Sequence, residues 1–132
     1  MQGKFWIVCG AVLAGIAVAF GALGAHVLKS HHDFTDAQLA TFDVGVRYQM
    51  YHSLALILVG LLAAQANCRC LKAAGSLFLL GIVLFSGGLY AWLFTEIKPF
   101  VHVVPVGGTL WIVAWLVLAW SALRTQSSHH AQ

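Results

Sequence analysis

The chain has 132 residues, 61% of them hydrophobic and only 8% charged. A soluble domain carries roughly 25% charged residues to keep its surface wet, so a soluble fold is excluded and lipid must cover most of this surface. The formal charge of +3 is spread as one or two basic residues per connection, with no Lys/Arg cluster to follow a phosphate backbone, and nucleic acid is excluded as a partner.

The first apolar run, Phe5 to Leu28, contains no Asp, Glu, Lys or Arg. At 1.5 Å per residue it can cross the roughly 30 Å hydrocarbon layer. It is longer than the roughly 7–15-residue core of a secretory signal and reads as a retained helix. Gly10, Ala14, Ala17, Gly21 and Ala25 recur along it every three or four residues. Small residues let another backbone approach where lipid provides no hydrophobic drive between helices. This helix is therefore expected at the packed centre of a bundle or at a subunit interface.

Ser30 to Asp36 is polar and reads as an exposed loop with His31 and His32. From Asp36 the pattern turns helical, with Leu39, Phe42 and Val46 on one face and Asp43 and Arg47 spaced for an i,i+4 pair. Thr35 or Asp36 suits its N-cap. The segment is expected as a short amphipathic helix at the membrane surface. The second span, Tyr48 to Ala66, follows, and the short turn from Gln65 to Cys70 makes spans two and three antiparallel neighbours. The third, Leu71 to Thr95, holds one charge, Lys72, near enough to its start to snorkel. After a connection containing Pro99 comes the fourth, Val103 to Leu123, with Pro105 expected in its first turn.

Backbone groups in lipid must be satisfied within each segment, so the runs are helices; none alternates as a barrel strand would. The predicted fold is an all-α membrane protein: one antiparallel bundle of four transmembrane helices over 1–124 (spans 5–28, 48–66, 71–95 and 103–123), an interfacial helix before the second span, and a disordered cytoplasmic tail at 125–132. The terminal side carries Lys4, Arg69, Lys72 and Arg124 with no acid. The other side mixes Lys29, Arg47 and Lys98 with Asp33, Asp36, Asp43 and Glu96. The positive-inside bias places both termini in the cytoplasm.

Polar residues inside the spans gather in the half away from the termini. His26 ends the first helix. Tyr48, Gln49 and His52 open the second at i,i+3 and i,i+4 spacing. Ser86, Gly87, Gly88 and Tyr90 lie in the third, and Pro105, Gly107 and Gly108 begin the fourth. One reading is a clasp that sets helix register. The other is a pocket for a small molecule, lipid headgroup or proton, with His26, Tyr48, Gln49, His52, Ser86 and Tyr90 as ligands. In both, Gly87, Gly88, Gly107 and Gly108 let the helices close in. Cys68 and Cys70 are too near each other for the usual zinc spacing, and His31-His32 and His129-His130 fall on opposite sides of the membrane. No nucleophile–base pair, phosphate-binding loop or acid pair occurs inside a span, which argues against a pump or an ion-driven transporter of familiar type; neither metal nor cofactor is expected.

Four strings come in order: Gly21-Ala22-Leu23-Gly24-Ala25-His26, Tyr48-Gln49-Met50-Tyr51-His52, Leu84-Phe85-Ser86-Gly87-Gly88-Leu89-Tyr90 and Pro105-Val106-Gly107-Gly108. In them the chain resembles, over nearly its whole length, the YgdD-like family of small bacterial membrane proteins, a domain-of-unknown-function group with mitochondrial relatives. It departs from that pattern at Val104, where the family has Thr, at Leu23, often Phe, and at Gly88, often Ser. The resemblance implies a four-helix protein of the bacterial inner membrane and supplies no reaction. The expected function is a non-enzymatic small-ligand- or lipid-binding protein or an accessory subunit, with a homo-oligomer or a membrane complex as partner besides the bilayer. The rivals are a small intramembrane enzyme with His52 as general base, assisted by His26 or Tyr48, and an oligomeric solute or proton conduit.

Overall fold

A computed structural model of the chain describes residues 2–28, 30, 34–66 and 68–127. These form four helices: α1 (Gln2–Leu23), continued by a π-helical turn (Gly24–Leu28), then α2 (Asp36–Gln65), α3 (Arg69–Thr95) and α4 (Pro99–Ser127). Each is long and apolar enough to cross a membrane, and the all-α, four-span reading holds. The His31-His32 and His129-His130 pairs lie outside the described residues.

Local chemistry sets the helix ends. Thr35 starts α2 with a capping box: its Oγ1 accepts from Gln38 N at 3.3 Å, and its own N–H donates to Gln38 Oε1 at 2.9 Å. Two orphan N–H groups of the first turn are thereby satisfied. The thiol sulfur of Cys68 caps α3, accepting from Cys70 N at 3.3 Å. Glu96 ends α3 at φ 57°, a left-handed cap that turns the chain within three residues into α4.

Two expectations are corrected here. The segment from Asp36 is no separate interfacial helix. It is the first part of α2, which runs unbroken for 30 residues, about 45 Å of helix. No proline interrupts it, and Phe42, Gly45 and Val46 are buried against the neighbouring elements, so nothing releases its start to lie flat on the membrane. In α4, Pro99 takes the first-turn position, where a missing N–H costs little. Pro105 consequently stands inside the helix. At the chain end, α4 continues through 125–127, and 128–132 lie outside the described residues.

Among the described residues, extensive packing joins only consecutive helices: α1 on α2, α2 on α3, α3 on α4. Aromatic side chains also tie non-consecutive helices, Trp6 of α1 lying on Gly75 of α3 and Trp111 of α4 stacking on His52 of α2, but α1 keeps most of its surface outward and is not the packed centre. The reason is geometric. The small residues occupy one face and suit one partner, while Val8, Val12 and Val18 face outward at 56–63% exposure. Along that face a Cβ on Gly10 would meet Ser53 O at 2.6 Å, and one on Gly3 would meet Gly60 O at 2.6 Å. Dispersion over such close backbones replaces the hydrophobic drive that lipid removes. Buried apolar residues form two clusters. One, around Trp6, Leu56, Phe78 and Trp111, holds α2, α3 and α4 together with the start of α1. A smaller one, around Ala17, Phe42, Val46 and Leu93, closes the end where α1 hands over to α2.

Candidate functional site

Part of the expected polar cluster does assemble. Gln49 is 3% exposed and bridges α1 and α3. Its Nε2 donates to Leu13 O at 2.8 Å, and its Oε1 accepts from the Tyr90 hydroxyl at 3.1 Å. Ser86 Oγ donates to Gly45 O at 2.8 Å, and Ser53 Oγ donates to Gln49 O at 2.6 Å. Gly45 makes the arrangement possible, because a Cβ there would lie 2.8 Å from the Tyr90 ring. Side chains on a helix lean toward its N-terminus, which carries the Tyr90 ring across Gly45 to reach Gln49. Among the described residues no buried side-chain nitrogen or oxygen lacks a partner. Gln49, Ser86 and Tyr90 form a clasp in which every side-chain polar group makes a hydrogen bond within the protein.

His52 belongs to a second assembly. Its ring stacks on Trp111 at 3.7 Å with 4° between the planes. Trp111 in turn lies over Gly81, where a Cβ would strike the indole, and donates from Nε1 to Phe78 O at 3.2 Å. The Trp115 indole N–H donates to His52 Nε2 at 3.4 Å, and His52 Nδ1 is 2.8 Å from Tyr48 O. An Nε2 that accepts must carry the lone pair, which puts the ring proton on Nδ1, donated to the Tyr48 carbonyl. Both nitrogens are thus engaged by the protein, and a general base needs one that is open to substrate. Nitrogen NMR of histidine-labelled protein is expected to show one ring in the Nδ1–H tautomer, with its Nε2 shift moved by Trp115→Phe. An Nε2–H ring indifferent to that change would contradict the assignment.

The other expected ligands stand elsewhere. Tyr48 is 42% exposed, its ring against Phe85 at 5.2 Å and Trp111 at 5.8 Å. His26 lies exposed on the π-helical turn. Gly24, two residues before it, faces Phe42, whereas Gly10 faces Ser53, beside His52. From Phe42 to His52 alone the helix rises about 15 Å, so the two histidines sit at different depths and make no pair. The equal-depth expectation failed because α2 begins 12 residues before the expected span, which lowers His52 relative to the end of α1.

The glycines divide likewise. A Cβ on Gly107 would strike Phe85 N at 2.6 Å, so α3 and α4 depend on its absence, and Gly88 and Gly108 also border the facing helix. Gly87 meets only Ile82 O of its own helix, at 3.9 Å, and packs against no neighbour. Ala17 is fully buried and Ala14 half-buried, while Ala25 is exposed.

Ala25 instead helps to line a cavity of ≈ 410 Å³ between the end of α1 and the start of α2. Gly21, Gly24 and Ala25 form one wall. Leu39, Phe42 and Val46 form the floor, and Asp36 and Asp43 the rim. Arg47 pairs with Asp43 at 2.9 Å on the exposed side. The residue-level reading missed this cavity, although its signals were present: two aspartates seven apart on one helix face, opposite a run of small residues. Such a groove can hold a small amphiphile. Among the described residues no group of three or more His, Cys, Asp or Glu could hold a metal.

The sequence profile described as "Protein of unknown function (DUF423)" matches residues 20–108, a span containing the π-helical turn, the groove and the clasp. A UPF0382 membrane protein of Staphylococcus aureus (strain bovine RF122 / ET3-1) is 38% identical over 115 residues, 87% of this chain and 92% of that protein. The UPF0382 membrane protein YwdK of Bacillus subtilis (strain 168) is 38% identical over 122 residues, 92% of this chain and 98% of its own. One from Haemophilus influenzae (strain ATCC 51907 / DSM 11121 / KW20 / Rd) is 38% identical over 110 residues, 83% of this chain and 86% of its own. No solved structure matches.

Proposed function

This chain belongs to the DUF423 family of membrane proteins of unknown function, and from that premise we propose that it is a non-enzymatic protein binding a small amphiphile in the groove between α1 and α2. The observation that carries the reading is the contrast between the two polar regions. The polar groups of the clasp inside the bundle are already hydrogen-bonded within the protein. The groove, at ≈ 410 Å³, is of the size that ligand sites occupy, roughly 300–1,000 Å³, and combines an apolar floor with a rim of two aspartates. One of its walls is the start of a π-helical turn, a local geometry that recurs at functional sites. Of the expected ligand residues, His26 is the one adjoining this wall, next to Ala25.

The protein lies in the bacterial inner membrane with its termini in the cytoplasm. Lys4, Arg69, Lys72 and Arg124 at the terminal end, with no acid among them, support that orientation, which turns the groove outward. Native mass spectrometry of the gently extracted protein tests the function. Wild-type protein is expected to retain a small-molecule adduct, and Gly21→Leu to lose it. A Cβ at Gly21 stands 3.6 Å from Val46, an ordinary contact, so the longer side chain fills the groove at a stability change within about 1 kcal/mol. An adduct held equally by Gly21→Leu, or none on either protein, refutes the groove. A stoichiometric protein partner in place of the adduct favours the accessory-subunit reading.

A further inference from the structure

The opposite end of the bundle carries Lys4, Arg69 and Lys72, and among its described residues no acid. There a second groove, ≈ 290 Å³, is lined by Phe5, Trp6, Lys72 and Ser76. One wall is aromatic. The Trp6 indole, 8% exposed, lies directly on Gly75, where a Cβ would come within 2.7 Å of the ring. Phe5 stands edge-on to it at 4.8 Å and is 53% exposed toward the hydrocarbon. The other wall is polar. Lys72 and Ser76 stand one turn apart on one face of α3, and their Cα–Cβ bonds tilt toward its N-terminus, that is, toward the membrane surface.

These two groups differ from their counterparts elsewhere in the chain. Every other serine or threonine whose side chain is described makes a hydrogen bond within the protein. Among the described residues neither the Ser76 hydroxyl nor the Lys72 ammonium has such a partner. A hydroxyl and an ammonium facing one interfacial groove, without an acid near, suit an acceptor that carries negative charge.

We propose that this groove binds an anionic phospholipid. The Lys72 ammonium meets the phosphate, the Ser76 hydroxyl donates to a phosphate or glycerol-ester oxygen just below it, and an acyl chain runs along Phe5 and Trp6. The aromatic wall selects the lipid over free phosphate. A small hydrated anion gains nothing from an indole and a phenyl ring open to hydrocarbon, and one lysine and one serine cannot replace its water shell. This site is independent of the amphiphile groove at the other end.

Native mass spectrometry of the full-length protein in neutral detergent tests it, with phosphatidylglycerol, phosphatidylcholine and diacylglycerol of the same chains as probes. Phosphatidylglycerol is expected to be retained about fivefold better than phosphatidylcholine, the contribution of one lysine near an anionic headgroup, and diacylglycerol least. Lys72→Gln should abolish the preference and Ser76→Ala weaken retention of both phospholipids, whereas Lys98→Gln at the far end changes nothing. Both test positions lack internal bonds, so folding survives, and an unchanged unfolding midpoint confirms it. Equal retention of phosphatidylglycerol and phosphatidylcholine by the wild type overturns the proposal, as does an unaltered preference in Lys72→Gln. Diacylglycerol held as well as phosphatidylglycerol removes the phosphate from the recognition. Displacement of the lipid by millimolar inorganic phosphate assigns the groove to a free anion, and the lipid assignment falls.

Discussion

Replacing Gly10 by valine is expected to pull α1 away from α2 and to destabilise the protein by about 3 kcal/mol. The atoms in the way are backbone: Ser53 O at 2.6 Å and Ile57 N at 3.0 Å from the added Cβ, with the Ile57 side chain at 2.8 Å. A side-chain tip can rotate aside, but the carbonyl of a packed helix cannot. The helices must separate, and the separation spreads to Leu13, whose carbonyl accepts from Gln49 one turn away. Gly15, on the same helix, is the control, since a Cβ there meets nothing within 4 Å. Denaturation of both variants in mixed micelles, followed by tryptophan fluorescence, measures the difference, because Trp6 rides on α1. If Gly10→Val unfolds at the same point as Gly15→Val, α1 is not held by this contact.

Gln49→Leu is the second large effect, expected to cost about 2–4 kcal/mol. The substitution is nearly isosteric, so little of the loss is cavity. It removes two interhelical hydrogen bonds, which average about 0.6 kcal/mol each in membrane proteins. It also leaves the Tyr90 hydroxyl without its acceptor, a penalty of about 1–3 kcal/mol when buried. The second term gives a sign that no simple packing argument reproduces. Tyr90→Phe alone should cost less than Gln49→Leu, and adding Tyr90→Phe to Gln49→Leu should restore stability by removing the orphaned hydroxyl. A double variant less stable than Gln49→Leu alone would show that the Tyr90 ring, and not its hydroxyl, carries the coupling. These measurements also separate clasp from groove: Gln49 is not among the residues lining the amphiphile site, and Tyr90→Phe keeps the ring that lies against Phe42, so ligand retention per folded molecule should be unchanged.

How far the site could be read from the residues differs by type. Gln49 and Tyr90 were legible as members of one network, because a polar side chain deep in a span has few places to go except another helix. His52 was legible as buried, but not its partners: Trp111 and Trp115 come from α4 and reach it over Gly81 and past Phe78, contacts that no spacing in the chain encodes. His26 was misplaced because depth was counted from the ends of apolar runs. The true start of α2 is set by the Thr35 capping box, three turns earlier.

From its residues alone, this protein's place in lipid, its four helices and their alternating direction follow, because those depend on sums over long segments: total charge, run length, and the need of every backbone group for a partner within its own helix. Which groups meet was left to the tertiary structure. In a bilayer, helix contacts are chosen by shape at single positions, a glycine facing a carbonyl or an indole, and the energy of such a contact is felt only once two distant segments lie side by side. That is why the polar residues that, read along the chain, looked like a single site divide into a clasp and a shielded histidine, while both interfacial grooves are lined by residues outside that set.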